Sequence, residues 1–191
     1  MFFRNLFFYT LPEISAVTDE ALESALESAA LKPVGALAMQ SRGFVPPLGE
    51  SGSLLQRIES SLWLCLGGED RILPAAVVQR ECQLKIAALE QAKGHPLGKR
   101  ARAQLKQETL DTLMPRAFVK PSRVNAIINR KRGFIAIDTS SAKAAEALVS
   151  KLREALGSFP ALPLQAEQAP RSILTQFLLG QELPEHWHLG E

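Results

Sequence analysis

Residues 74–115 read PAAVVQRECQLKIAALEQAKGHPLGKRARAQLKQETLDTLMP, and this stretch decides the architecture. Pro74 suits the first turn of a helix, where its missing N–H would have no intrahelical partner in any case. Val78, Cys82, Ile86 and Leu89 then recur at steps of four, four and three, which places them on one helical stripe, and Gly94 supplies a stop. His95-Pro96-Leu97-Gly98 breaks the chain before a second helix from about Lys99 to Met114, ended by Pro115. Two helices joined by so short a break predict an antiparallel helical hairpin.

The flanking segments are mixed. On the carboxy-terminal side Val124, Ala126 and Ile128 alternate with polar residues, Arg130-Lys131-Arg132-Gly133 forms a turn, and Phe134 to Ile137 resumes extended structure. This is a β-hairpin with a basic tip. Ser140 or Ser141 caps a further helix whose stripe is Ala145, Leu148, Leu152 and Leu156, and Gly157 ends it. A short helix around Ser172 to Leu179 follows a proline-rich connection. On the amino-terminal side Leu54 to Ile58 and Leu62 to Leu66 read as strands, and Gly67-Gly68 reads as a break before Ile72-Leu73-Pro74. Lys32 to Ser53, rich in Gly and Pro, reads as a loop with short extended pieces. The apolar start through Tyr9 predicts a strand, since Arg4 and Asn5 interrupt it and no cleavage site follows. Thr18 caps a helix with Leu22, Ala25, Leu26 and Ala29 on its apolar side. The order predicts an α+β fold: antiparallel sheets, packed helices and a projecting helical-hairpin subdomain. Residues 1–73 form an α+β region, 74–118 the hairpin, and 119–191 a β-hairpin and helices that return to the α+β region.

With 46% apolar residues in 191 the chain can bury a sizeable core, and no apolar run approaches the roughly 18 residues of a membrane span. Cys65 and Cys82 are read as buried small hydrophobes of a reducing cytosol. The net charge of +2 conceals a strong polarity. Residues 80–132 carry thirteen Lys and Arg against four Asp and Glu, or +9, which leaves −7 for the remainder. Such asymmetry points to a polyanionic partner, and without an amphipathic anchor to nucleic acid rather than a membrane.

Within that segment Lys99, Arg102 and Lys106 recur at three and four residues and share a helix face. Lys99, Arg100 and Arg102 open the helix at the positive end of its dipole, at ~0.3–1 kcal/mol each unless an anion neutralises them. A phosphate backbone would be such an anion; a solvated helix face is the plainer alternative. Arg130, Lys131 and Arg132 on their turn can lie along phosphates, or serve solubility. Arg116 and Phe118 join a cation to an aromatic after a helix break; Phe118 is either a wedge toward bases or a core residue.

Motifs for catalysis are lacking. Gly94 to Arg100 has one residue too few between its glycines for a phosphate-binding loop, has Arg where Ser or Thr would hold magnesium, and follows a helix instead of a strand. His186-Trp187-His188 has no further ligand nearby for a metal, and no Gly-x-Ser-x-Gly, CxxC or paired-carboxylate motif occurs. A binding protein without metal, cofactor or catalytic residues is the expectation.

The order of motifs resembles the RdgC family of bacterial recombination-associated proteins. The resemblance spans the chain: Phe3-Arg4-Asn5-Leu6 with Tyr9, Gly43-Phe44-Val45-Pro46-Pro47, Ile72-Leu73-Pro74, Met114-Pro115-Arg116-Ala117-Phe118, Ser141 to Glu146, and Leu152 to Ser158. It implies a cytoplasmic, nucleoid-associated protein, not an enzyme and without cofactor. Such a protein binds double-stranded DNA with little sequence preference and so restrains the strand-exchange recombinase. It also implies homodimers closing into a ring with a positive hole. DNA-facing positions by resemblance are the bases from Lys93 to Lys106 (Lys93, Lys99, Arg100, Arg102, Lys106), with Arg116 and Phe118, the latter matching an aromatic projection. There are two departures. The family's carboxy-terminal part is lacking, so ring closure through it does not transfer. Gly67-Gly68-Glu69-Asp70-Arg71 replaces a more basic approach to Ile72-Leu73-Pro74. The competing reading is an interaction module of the recombination machinery whose basic segment meets an acidic protein.

Overall fold

The computed structural model describes residues 3–12, 17–165, 169–180, 183–185 and 187–188. Its framework is a pair of twelve-residue strands, β4 (Ser61–Ile72) and β5 (Phe118–Asn129), antiparallel along their whole length from Ser61↔Asn129 to Ile72↔Phe118. At about 3.4 Å per residue each is about 40 Å long. Beside β5 lie β6 (Phe134–Asp138), β1 (Leu6–Thr10) and the short β7 (Leu162–Pro163); beside β4 lie β2 (Gln40–Val45) and β3 (Leu55–Ile58). All these pairings are antiparallel, so the fold is α+β.

Side chains alternate between the two faces of a strand. One face of the ribbon presents Leu62, Leu64, Leu66, Ala126 and Ile128 to α1 (Asp19–Ser28) and α4 (Ala142–Leu156), and together they make the core. Both helices form as their sequence patterns require. Thr18 caps α1 by accepting from the Ala21 N–H at 3.2 Å, and Leu22, Ala25 and Leu26 are buried. Ser141 caps α4 through the Ala144 N–H at 3.3 Å; Ala145, Leu148, Val149 and Leu152 are buried, and Gly157 ends it in the left-handed conformation. The opposite face holds Trp63, whose indole N–H donates to the buried Asn125 at 3.1 Å, and Cys65, whose thiol burial pushes upward in pKa.

One local expectation is corrected. Gly67-Gly68 does not break the chain, because β4 continues through it to Ile72. The missing side chains make room: a Cβ on Gly67 would meet Val45 at 2.6 Å, and one on Gly68 would meet Arg42 Nη1 and Ser122 Oγ at 2.7 Å. Within 32–53, read as a loop with short extended pieces, Gln40–Val45 is such a piece and pairs with β4. Gly43 lets β2 pass the backbone of Ala30 and Leu31, which would lie 2.4 Å from a Cβ there.

Between β4 and β5 the chain makes α2 (Ala75–Lys93) and α3 (Lys99–Leu113), followed by a 3-10 turn at Met114–Arg116. The helices pack on each other and not along the sheet, so they form an arm beyond the ribbon's end. With one partner helix and, among the described residues, no third layer, the predicted stripe of α2 is only half covered. Val78 and Cys82 are buried, Ile86 is partly covered and Leu89 is exposed. Arg71 braces the junction, its Nη1 donating to the Met114 carbonyl at 2.9 Å and its Nη2 to that of Gly35 at 3.3 Å. Pro170–Leu178 forms a last helix, α5.

A cationic arm as the candidate nucleic-acid interface

The candidate residues fall at three levels along the molecule. Lys93 ends α2 and Lys99, Arg100 and Arg102 open α3, so the four meet at the outer end of the arm, all exposed. Gly94, in the left-handed conformation at φ 72°, reverses the chain between them. Lys106, exposed two turns further on, flanks a cleft of about 620 Å³ between the helices, lined also by Val78, Cys82, Ile86 and Leu110.

Glu90 organises the outer end. Its carboxylate accepts the Leu97 N–H at 2.8 Å and pairs with Arg102 at 2.9 Å. The backbone bond, and then the bond from Arg102, hold its pKa below the ordinary 4.5. The cations at the start of α3 therefore meet an anion within the chain, and Arg102 is partly committed to it. Lys93, Lys99, Arg100 and Lys106 have no ion-pair partner among the described residues.

Arg116 and Phe118 stand at the junction, about 22 Å from Lys99 along the axis of α3. Phe118 is 84% exposed, so it lies outside the core of the chain. Ile72, its cross-strand partner, and Val119 are exposed beside it. The predicted basic turn is at the far end of β5, about 40 Å away. There Lys131 and Arg132 are exposed and Gly133 takes φ 62°. Arg130 is not free: its Nη1 pairs with Asp19 at 2.8 Å, and burial followed by the like charge of Arg57 holds its pKa below the usual range. The structure thus groups the arm residues and separates them from 130–132. The stretch Gly67 to Arg71 is engaged internally as well, with Glu69 accepting the Val34 N–H at 2.7 Å and Asp70 pairing with Arg42 at 2.6 Å.

Of the His-Trp-His sequence, His186 lies outside the described residues; among the described ones no group of three His, Cys, Asp or Glu is placed to hold a metal. Among the described residues no helix is long and apolar enough to cross a membrane.

A sheet-and-helix body with a two-helix arm, cationic at its outer end, defines the class: an α+β protein with a projecting basic arm. Comparison with known proteins gives the particular family. A family model described as "Putative exonuclease, RdgC" matches residues 1–191. The Recombination-associated protein RdgC of Xylella fastidiosa strain 9a5c is 47% identical over 193 residues, covering 100% of this chain and 63% of that protein. Those of Xanthomonas campestris pv. campestris strain B100 and Xanthomonas oryzae pv. oryzae strain MAFF 311018 are 49% and 48% identical, with 63% and 64% of their lengths covered. The chain belongs to the RdgC family. It spans somewhat under two thirds of the length of these relatives, whose names state an association with recombination and no enzymatic activity.

Proposed function

We propose that the chain binds double-stranded DNA through the phosphate backbone, with little sequence preference, and modulates homologous recombination by occupying DNA that the strand-exchange recombinase needs. The observation that carries this reading is the group of exposed cations at the outer end of the arm: Lys93, Lys99 and Arg100, without acidic partners among the described residues. Lysine and arginine on a projecting element can follow phosphates while base edges stay untouched. The relatives' recombination-associated names support the same setting, a cytoplasmic protein at the nucleoid. Homodimerisation belongs to the proposal, and the exposed apolar cross-strand pair Ile72 and Phe118 at the arm's base offers a surface for it.

Duplex affinity measured across salt tests the reading. About six phosphate contacts would lower affinity by roughly a thousandfold between 50 and 200 mM salt, equally for duplexes of different sequence. K99Q/R100Q/K106Q should bind all duplexes more weakly with unchanged circular dichroism. An affinity indifferent to salt, or a strong preference for one sequence, overturns backbone binding.

A further inference from the structure

A second basic surface lies outside the segment 80–132, built from residues of the acidic remainder. Where the helical layer stops short of the ribbon's end, the face of β4–β5 that carries the core becomes open. A cleft of about 560 Å³ forms there between Gln40, Arg42 and Ser122 on the sheet and Ser141 and Lys143 at the start of α4. The physical reason is a mismatch of lengths: the strands run about 40 Å, whereas the fifteen residues of α4 reach about 22 Å. Arg42 also lines a neighbouring hollow of about 200 Å³ with Lys32 and Lys151. Four cations from two elements and a connecting segment, Arg42 of β2, Lys143 and Lys151 of α4, and Lys32, thereby converge.

Glu69, Asp70 and Glu154 stand among these cations, and Glu69 accepts the Val34 N–H at 2.7 Å. Asp70 is held by Arg42 at 2.6 Å, and Glu154 pairs with Lys151 at 2.9 Å. Lys32 and Lys143 are exposed and have no ion-pair partner among the described residues, so both turn their charge outward. The small residues Gly67, Ser122, Ala144 and Ala147 line the cleft, with Ser141 beside them. Beyond Ser122 the same face continues through Lys120 to Phe118, since these alternate residues of β5 share a side, and so reaches the arm's base.

We propose that this surface is a second binding site for DNA phosphates, continuing the path of one duplex from the arm past Lys120 to Lys143, Arg42 and Lys32. It rests on the arm being a duplex-binding element. An open, low-walled cleft with separate point charges fits a running polyphosphate chain, whose strands can pass along it without base contacts.

The test compares K32Q/K143Q with K99Q/R100Q/K106Q in the full chain, by duplex affinity over a range of salt. Each phosphate contact contributes about 0.9 to the slope of log affinity against log salt, so K32Q/K143Q should lower the slope by about 2 and weaken all duplexes alike. Both lysines are exposed, so thermal unfolding should not change. If K32Q/K143Q binds as the wild type does while K99Q/R100Q/K106Q binds more weakly, the second site is refuted and the arm stands alone. If neither set changes affinity, the duplex reading fails and the second site with it.

Discussion

At the scale of single residues, side-chain size and exposure decide what each position tolerates. Gly43 is in the β region of a strand, yet a Cβ there would lie 2.4 Å from the backbone N and Cα of Leu31. Backbone atoms cannot rotate away, so Gly43→Ala should destabilise the fold by at least the ~1–3 kcal/mol of an overpacked core, read as a lower urea midpoint at unchanged slope. Phe118 is the opposite case. At 84% exposed, Phe118→Ala should shift stability by less than about 0.5 kcal/mol, against the ~3–5 kcal/mol of a core phenylalanine. Its effect should fall on self-association or DNA binding, which gel filtration and duplex titration separate. The sequence shows an aromatic after a helix break, but not its surroundings: both readings of Phe118 hinge on whether another layer covers β5 at that end. None of the described residues does.

At the scale of elements, the arm depends on its turn. Glu90 ties α2 to the start of α3 through Leu97 and Arg102. Because its pKa is lower in the folded chain than the ordinary 4.5, its bonds add stability above about pH 4.5 and lose it as falling pH protonates the carboxylate. Hydrogen-exchange protection at 95–103, taken relative to the unstructured rate at the same pH, should therefore fall below that pH in the wild type, and Glu90→Gln should show lower protection already at neutral pH and little further loss on acidification. Equal exchange in both proteins at every pH would show that the turn holds without Glu90. The two helices of the arm were legible because each has its own stripe and stop, a matter of residues three or four apart. The Glu90–Arg102 pair was not, since its partners belong to different helices and meet only when the chain reverses at Gly94. Likewise the sequence places a break in β4 at Gly67-Gly68. Local propensity treats two glycines as a break, whereas Val45 and Arg42 of the neighbouring strand need the space those glycines leave.

At the scale of the whole molecule, the charged groups are distributed by the long β4–β5 ribbon. It puts the arm at one end and Arg130-Lys131-Arg132 at the other, with the core helices between. Light scattering of the chain should give twice its mass if the surface around Phe118 joins two copies, and addition of a short duplex should give one duplex per dimer. A monomer that binds duplex would retain the arm's role and remove the dimer. The α+β class, the arm, both capped core helices and the exposed cations from Lys93 to Lys106 were determined by sequence alone, because periodicity, caps and charge runs are properties of neighbouring residues. Only the tertiary structure decided that Arg130 is spent on Asp19, that Phe118 stands clear of the core, and that Lys32, Arg42, Lys143 and Lys151 share a surface. Those outcomes depend on which strands pair and where the helical layer ends, and they join residues far apart in the chain, such as Asp19 and Arg130, 111 positions apart.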